Sequence, residues 1–443
     1  MKRRDGSRWA GLAVMGMIGL LVFSGCAKKK VERVEEGKIT LRFTIWGTPE
    51  QIKTEKLIIA GFEEKYPDIK IKLEHIPEPY NDKLMTMIVG RTAPDVMMIE
   101  RGVYPQYAAK GVFLDLEPYI KRDKVDISDI YPLTFYSFRY KGKLYAFPRD
   151  ISGIVMYYNK TMFEKEGVPF PDENWTWNDF RNACKKLTRD TNGDGIVDQF
   201  GSVQPDWFTL IWANGGNILD NPHNPTKCVI DSPEAIAGVQ FIVDLYKEKI
   251  IAPPRVIREQ GSYELFAIGK VGMYFDGRWM APEFVGIKHF KWDVAPVPKG
   301  KVGRVTLHGG TAYGISAYTK YPEEAWKFVE FYCGYEGIKI AVKGGRTTPV
   351  YKSLANSPLY LNQRPPENMK AFVETMEINV GKQISYVPEN AEIGEIFWRN
   401  FDYLVSDLTA GKKVDLKKAC EKIKQEVDKL LVKAGYVMNT QTS

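Results

Sequence analysis

At 443 residues, with 44% hydrophobic and 26% charged side chains, the chain is long enough for two or more domains and lacks the composition of a disordered protein. Its net charge of +7 is not gathered into a dense Lys/Arg block with interleaved aromatics, which argues against nucleic acid as a partner. The 10 Trp residues matter because Trp serves both hydrophobic cores and the flat apolar faces of carbohydrates.

Lys2, Arg3, Arg4 and Arg8 precede an uncharged run over residues 9–23 that is too short for a comfortable membrane span. Residues 1–25 therefore read as an export signal. Its removal takes four basic residues and one acidic, bringing the net charge from +7 to +4. Phe23-Ser24-Gly25-Cys26 resembles the bacterial lipobox, with Phe23 where Leu is usual. That resemblance makes Cys26 a lipid-bearing N-terminus and residues 26–38 a polar tether to the membrane. A plain secretory signal with an incidental Cys26 is the other reading. Cys184, Cys228, Cys333 and Cys420 are far apart and form no C-x-x-C pair, against zinc. One or two disulfides, or four buried thiols, both remain open.

Residues 39–46 (ITLRFTIW) alternate as a strand does, Gly47-Thr48-Pro49 breaks the run, and residues 51–66 take up helical spacing. Residues 69–75 alternate again, a polar helix starts near Tyr80, and residues 94–99 form a short apolar strand. This β-α-β-α-β order implies parallel strands covered by helices. Ligands collect at the carboxyl ends of such strands, here Trp46-Gly47 and Glu100-Arg101. In residues 142–160 (GKLYAFPRDISGIVMYYNK) a turn leads to an apolar run over 151–158 and a helix start at Asn159. Thr176, with Asp179 three residues on, caps the next helix.

Residues 190–198 (DTNGDGIVD) follow. Asp190, Asn192 and Asp194 place side-chain oxygens at alternate positions, Ile196 offers its carbonyl and Asp198 stands at the ninth position, as in an EF-hand loop. Gly201 occupies the twelfth position, where a bidentate Glu is expected. A structural calcium ion is one reading, an Asx-rich turn the other.

Residues 142–160 resemble the central motif of the family-1 extracellular solute-binding proteins, the sugar-binding subunits of bacterial ABC importers. The resemblance keeps its order through residues 104–120, 266–279, 308–331 and 345–349. It implies an α/β, two-lobed periplasmic-binding-protein fold of type II-like architecture. Three hinge crossings would lie near residues 147–153, 302–309 and 348–350. The first lobe would be residues 39–149 with 308–349, the second 150–307 with 350–443. A carbohydrate, more an oligosaccharide than a monosaccharide, would bind between the lobes and be delivered by hinge closure to membrane permease subunits, by a monomeric protein with no catalytic residues. A secreted carbohydrate-active enzyme and a carbohydrate-binding surface lipoprotein without transport are the rivals.

A sugar is apolar on its faces and polar at its rim, so a site needs aromatic platforms and directional polar groups on both sides of a hinge. Trp46 and Glu50 after the first strand, Glu100 after the third, and Asp150 in the family's Pro-x-Asp position meet that need. Trp279 matches the family's Gly-x-Trp platform, with Asp276 nearby for hydroxyls. Trp207 stands where relatives present an aromatic, with Asp206 as its alternative. Gly309 and Gly310 let backbone amides approach a ligand, and Arg346 offers a planar fork at the last crossing. Trp398 on the C-terminal helices reads as core more than as contact.

Overall fold

The computed structural model describes residues 38–77, 79–345, 347–377 and 384–437, with the backbone alone at Glu50. The export signal, Cys26 and Arg346 lie outside these residues.

Strand β1 (Ile39–Ile45) buries Leu41, Phe43 and Ile45, the alternate residues that a period of two turns to one face. Thr48 then starts the helix Pro49–Lys65 with a capping box: its hydroxyl accepts from Gln51 N–H, and the Gln51 side chain accepts from Thr48 N–H. Strand β2 (Ile69–His75) lies parallel to β1, and β3 (Val96–Glu100) buries four residues in succession, as an interior strand does. A short hairpin of β4 (Arg139–Tyr140) and β5 (Lys143–Leu144) feeds β6 (Phe147–Gly153). Ile154 alone separates β6 from β7 (Val155–Asn159). Strands β8 (Phe200–Ser202), β9 (Val271–Asp276) and β10 (Trp292–Pro296) follow, and β11 (His308–Ile315) ends the set.

Two sheets result, with orders β2-β1-β3-β11-β6 and β10-β7-β9-β8. Strand β1 pairs in parallel with β2 and β3, as the intervening helices require. Strand β11 runs antiparallel to β3 and β6, and β7 antiparallel to β9 and β10. The two lobes expected from the sequence are these two sheets with their helices.

The lobe boundaries differ from expectation at two places. Residues 150–153, assigned above to the second lobe, pair along β11, with Ile151 opposite Gly310 and Gly153 opposite His308. The chain changes sheet at Ile154, whose N–H donates to Leu307 O on the neighbouring crossing, so the first two crossings run side by side. Residues 350–361 were also assigned to the second lobe. They pack on the first, because Tyr131 N–H donates to Val350 O, Lys352 N–H to Asp129 O and Ser353 N–H to the Asp129 carboxylate. The helix Lys370–Glu377 spans the gap: Gly153 N–H donates to Thr375 Oγ1 at 3.0 Å, while Asn368 N–H, just before the helix, donates to Asp293 Oδ1 of β10 at 2.9 Å. The helices Asn390–Thr409 and Leu416–Lys433 then close the second core, where Phe397, Phe401, Val427 and Leu431 join Ile242 and Val243.

All four described cysteines are free and buried, so the disulfide reading gives way to thiols packed as small hydrophobes. Burial pushes the Cys228 thiol up to about 12.

Beneath the first sheet, Arg149 and Glu55 are both fully buried. Arg149 Nη2 donates to the two Glu55 oxygens at 2.9 and 3.0 Å, and Glu55 also accepts from the Tyr332 hydroxyl. The pair fastens β6 to the helices Pro49–Lys65 and Pro322–Cys333. Breaking it leaves a buried charge without its partner, which costs about 3–5 kcal/mol. Glu55→Gln is expected to lower the free energy of unfolding by that amount, read as a lower urea midpoint at an unchanged denaturant slope.

Candidate functional site

Between the two sheets lies a cavity of about 450 Å³. Its first wall is made at strand ends: Trp46 after β1, Glu100 and Arg101 at the end of β3, Asp150 in β6, Gly309 and Gly310 in β11. The second wall holds Phe208 from the helix Trp207–Ala213, Arg278 and Trp279 after β9, and Trp398 from the helix Asn390–Thr409.

Trp46 is half-buried, its ring 5.0 Å from that of Tyr80. The Asp150 carboxylate accepts from Thr311 N–H and Thr311 Oγ1, both at 2.8 Å, and faces Arg149 Nη1 at 3.6 Å. Arg101 is buried at the junction of the lobes, where Nη1 donates to His308 O at 3.0 Å and Nη2 to the Tyr386 hydroxyl at 2.9 Å. Burial holds its guanidinium below the usual range, with Tyr386 opposing. His308 Nε2 lies 2.7 Å from Thr375 O, and burial beside Arg101 depresses the imidazole to about 4.

Trp279 lies across β11. A Cβ on Gly309 would stand 2.7 Å from Trp279 Cη2, and one on Gly310 would stand 2.7 Å from Asp150 O. The glycine pair therefore serves the protein's own packing. It lets the indole rest on β11, and it lets β11 close on β6.

Two expected contacts are corrected. Trp207 is 1% exposed and stacks on Phe401, with ring centroids 4.4 Å apart, inside the second core. It opens its helix facing inward while the next residue, Phe208, faces the cavity, edge-on to Trp398 at 5.4 Å. Asp206 caps that helix, accepting from Thr209 N–H at 2.6 Å. Asp276 does not line the cavity either. Its carboxylate accepts from the Tyr274 hydroxyl, from Gly277 N–H at 2.7 Å and from Trp279, so it orients the platform instead of meeting sugar hydroxyls. Burial pushes this carboxyl up, against those hydrogen bonds.

The structure adds Phe208, Arg278, His308 and Trp398 to the site. Trp398, read above as core, is 42% exposed on the cavity wall. Phe208 is one residue from Trp207, a difference that only the rotation of the helix decides. Arg278 is the middle residue of Gly277-Arg278-Trp279, beside the platform that the sequence singled out.

In the 190–198 loop, Asp190 accepts from the N–H groups of Asn192, Gly193 and Gly195, and Asp194 Oδ1 accepts from Ile196 N–H. Asp198 accepts from Thr191 and pairs with Lys270 Nζ at 3.1 Å. Among the described residues no group of three or more His, Cys, Asp or Glu stands close enough to hold a metal. Asp190, Asn192 and Asp194 stay together in the turn, while a cation would compete with Lys270 for Asp198.

Comparison with known proteins fits this geometry. The family model for bacterial extracellular solute-binding proteins matches residues 47–339. The galactooligosaccharide-binding protein of Bacillus subtilis is 24% identical over 92% of this chain and 94% of its own. The arabinooligosaccharide-binding protein of the same organism is 28% identical over 73% of this chain and 75% of its own. An ABC substrate-binding protein from Listeria monocytogenes, solved in complex with cycloalternan, superposes with a TM-score of 0.79 at 28% identity, covering 89% of this chain and 99% of the other.

His308 and Gly309 each yield an expected outcome. The imidazole has a folded pKa of about 4 against 6.5 ordinarily, so the neutral form stabilises the fold fully above pH 6.5. That contribution, about 3 kcal/mol, is lost as the pH falls from 6.5 through 4. Urea midpoints across this window should fall less steeply in His308→Gln than in the parent. Gly309→Ala should cost about 1–3 kcal/mol by displacing Trp279, with a shift in its fluorescence maximum.

Proposed function

This chain belongs to the bacterial extracellular solute-binding proteins, the exported binding components of ABC importers, and from its cavity we propose that it captures an oligosaccharide and delivers it to a membrane permease. The observation that carries this reading is the pairing of aromatic faces with polar rims across two lobes. Trp46, Glu100 and Asp150 stand on the first wall and Phe208, Trp279 and Trp398 on the second. Indole faces take the C–H surfaces of pyranose rings, and the carboxylates accept from their hydroxyls. The volume lies within the range of about 300–1,000 Å³ usual for small-molecule sites.

Contacts to both walls favour the closed arrangement by differential affinity, and the crossings at residues 154 and 307 with the helix Lys370–Glu377 are the parts that would bend. The closed form is what a permease would recognise. A glycosidase reading calls for a second carboxylate opposite Asp150. Asp276, the carboxylate that ends β9 before Trp279, is turned away onto Tyr274 and Trp279.

We further propose that Cys26 carries a lipid anchor, that the protein acts as a monomer, and that calcium supports the 190–198 loop by exchanging with Lys270 at Asp198. Calcium is expected to raise the melting temperature and Asp190→Asn to abolish the rise. No response to calcium or chelator would assign the loop to its own hydrogen bonds.

The reading is tested by tryptophan fluorescence and thermal shift with galacto-, arabino- and malto-oligosaccharides. A bound glycan at a hundredfold excess over its dissociation constant stabilises the fold by about 2.7 kcal/mol. Trp279→Ala and Trp398→Ala are each expected to weaken binding about tenfold, the loss of one stacking face. Breakdown of the glycan during the titration would return the protein to the enzymes.

A further inference from the structure

Three arginines, Arg101, Arg149 and Arg278, lie buried at or near the cavity, and the last two stand in different electrostatic settings. Arg149 is fully buried, and its charge is met by Glu55 at 2.9 Å and by Asp150 at 3.6 Å. It holds the fold together.

Arg278 is 3% exposed and lines the cavity beside Trp279. Its Nη2 donates to Gln363 Oε1 at 2.9 Å, it hydrogen-bonds the Tyr360 hydroxyl, and its guanidinium carbon stands 5.6 Å from the Phe372 ring centroid. All three neighbours are uncharged. Nε and Nη1 are buried with no hydrogen-bond partner, and among the described residues no carboxylate pairs with this side chain. Asp276, two residues earlier, is occupied by Tyr274, Gly277 and Trp279. A guanidinium taken from water with neutral partners alone carries an uncompensated desolvation penalty. Its planar fork matches a carboxylate, and a carboxylate supplies the missing charge as well as the missing acceptors.

The negative groups of the same cavity lie on the first wall. Asp150 accepts from Thr311 at Oδ1 and faces Arg149 with Oδ2, and Glu100 ends β3. Beside Trp279 the cavity lining therefore presents the Arg278 guanidinium, and another buried guanidinium, Arg101, lines it from the β3 end. We propose that the ligand is an acidic oligosaccharide, one that bears a uronate whose carboxylate is received by Arg278 while its ring lies on Trp279. This deepens the oligosaccharide reading above and rests on it.

The test uses matched pairs of glycans and calorimetric titration of the purified full chain. Oligogalacturonides are compared with their carboxyl-reduced forms, and glucuronate-bearing xylo-oligosaccharides with theirs. In at least one pair the acidic member is expected to bind tenfold tighter or more, and the ratio should shrink between 50 mM and 500 mM salt. Arg278→Gln is expected to bring the acid-to-neutral ratio to about one, and Arg278→Lys to leave it between one and the parental value. The melting temperature of each ligand-free variant reports its fold, and the salt dependence of the parent keeps the test open where a variant does not fold. Neutral members that bind as tightly as acidic ones, or tighter, overturn the uronate assignment and leave oligosaccharide capture standing. Binding of neither member in any pair, nor of any neutral glycan, overturns capture itself and the assignment with it.

Discussion

Strands β6 and β7 form one run of chain interrupted at a single residue, Ile154, and both sheets hang from it. The run must satisfy two cores at once. It does so with an apolar sequence broken at one charged pair, Arg149-Asp150, whose placement follows from Pro148. Proline has no N–H to give a ladder and is tolerated where the register shifts. Along β11 the register steps from Thr311 opposite Asp150 to Ala312 opposite Pro148, so Arg149 is the extra residue of a bulge. The bulge sends Arg149 down to Glu55 and leaves Asp150 facing the cavity, held by Thr311. One constraint thus fastens the first lobe, sets the hinge and aims a ligand-facing carboxylate.

The second wall is organised by packing around one indole. Trp279 needs Gly277 and Gly309 because a Cβ at either would enter its ring, and it needs Asp276 to fix its rotation. Residues that look like ligand contacts in sequence are here the supports of a contact. The same logic governs Trp207 and Phe208. The stacked Trp207–Phe401 pair anchors the helix in the second core, and the neighbouring Phe208 and Trp398 meet edge to face at the cavity rim.

The order of strands and helices was legible from period-two and helical patterning, and the helix starts at Asn159 and Thr176 stand where their side chains announce them. The strand-end residues Trp46 and Glu100 were legible because strand direction and β-α-β order fix which ends face a ligand, whereas Asp150, in the middle of β6, was legible only through the resemblance of its Pro-x-Asp position. What patterning does not carry is rotation and long-range pairing. The phase of the helix starting at Trp207 is set by Phe401, nearly two hundred residues away. The lobe assignment of residues 350–361 is set by Asp129 and Tyr131, and no local signal encodes that contact. Trp398 lies on an amphipathic helix whose apolar stripe reaches past the core to the cavity, so helical spacing alone reads it as core. Arg278 has no pattern at all: its meaning comes from a buried guanidinium that no carboxylate among the described residues pairs with, and only the fold reveals that.

Affinity and selectivity are therefore divided between different groups in this cavity. An indole face accepts any pyranose with an apolar side, and its contribution varies little with hydroxyl configuration. A buried charge is less tolerant, because a ligand that leaves it unmatched must close the lobes over it and remove its last access to water. Arg149 does not discriminate in this way, since Glu55 matches it with or without a ligand. Arg278 does, since its acceptors among the described residues, Gln363 and Tyr360, are neutral. Its position on the second wall, opposite a first wall that carries Glu100 and Asp150, gives the cavity a direction. A ligand with a carboxylate at one end and hydroxyls at the other completes both walls in one orientation. A neutral ligand gains the same stacking in either orientation and leaves Arg278 uncompensated, which lowers the free energy available for hinge closure. Closure, and not contact alone, is then the step at which the solute is chosen.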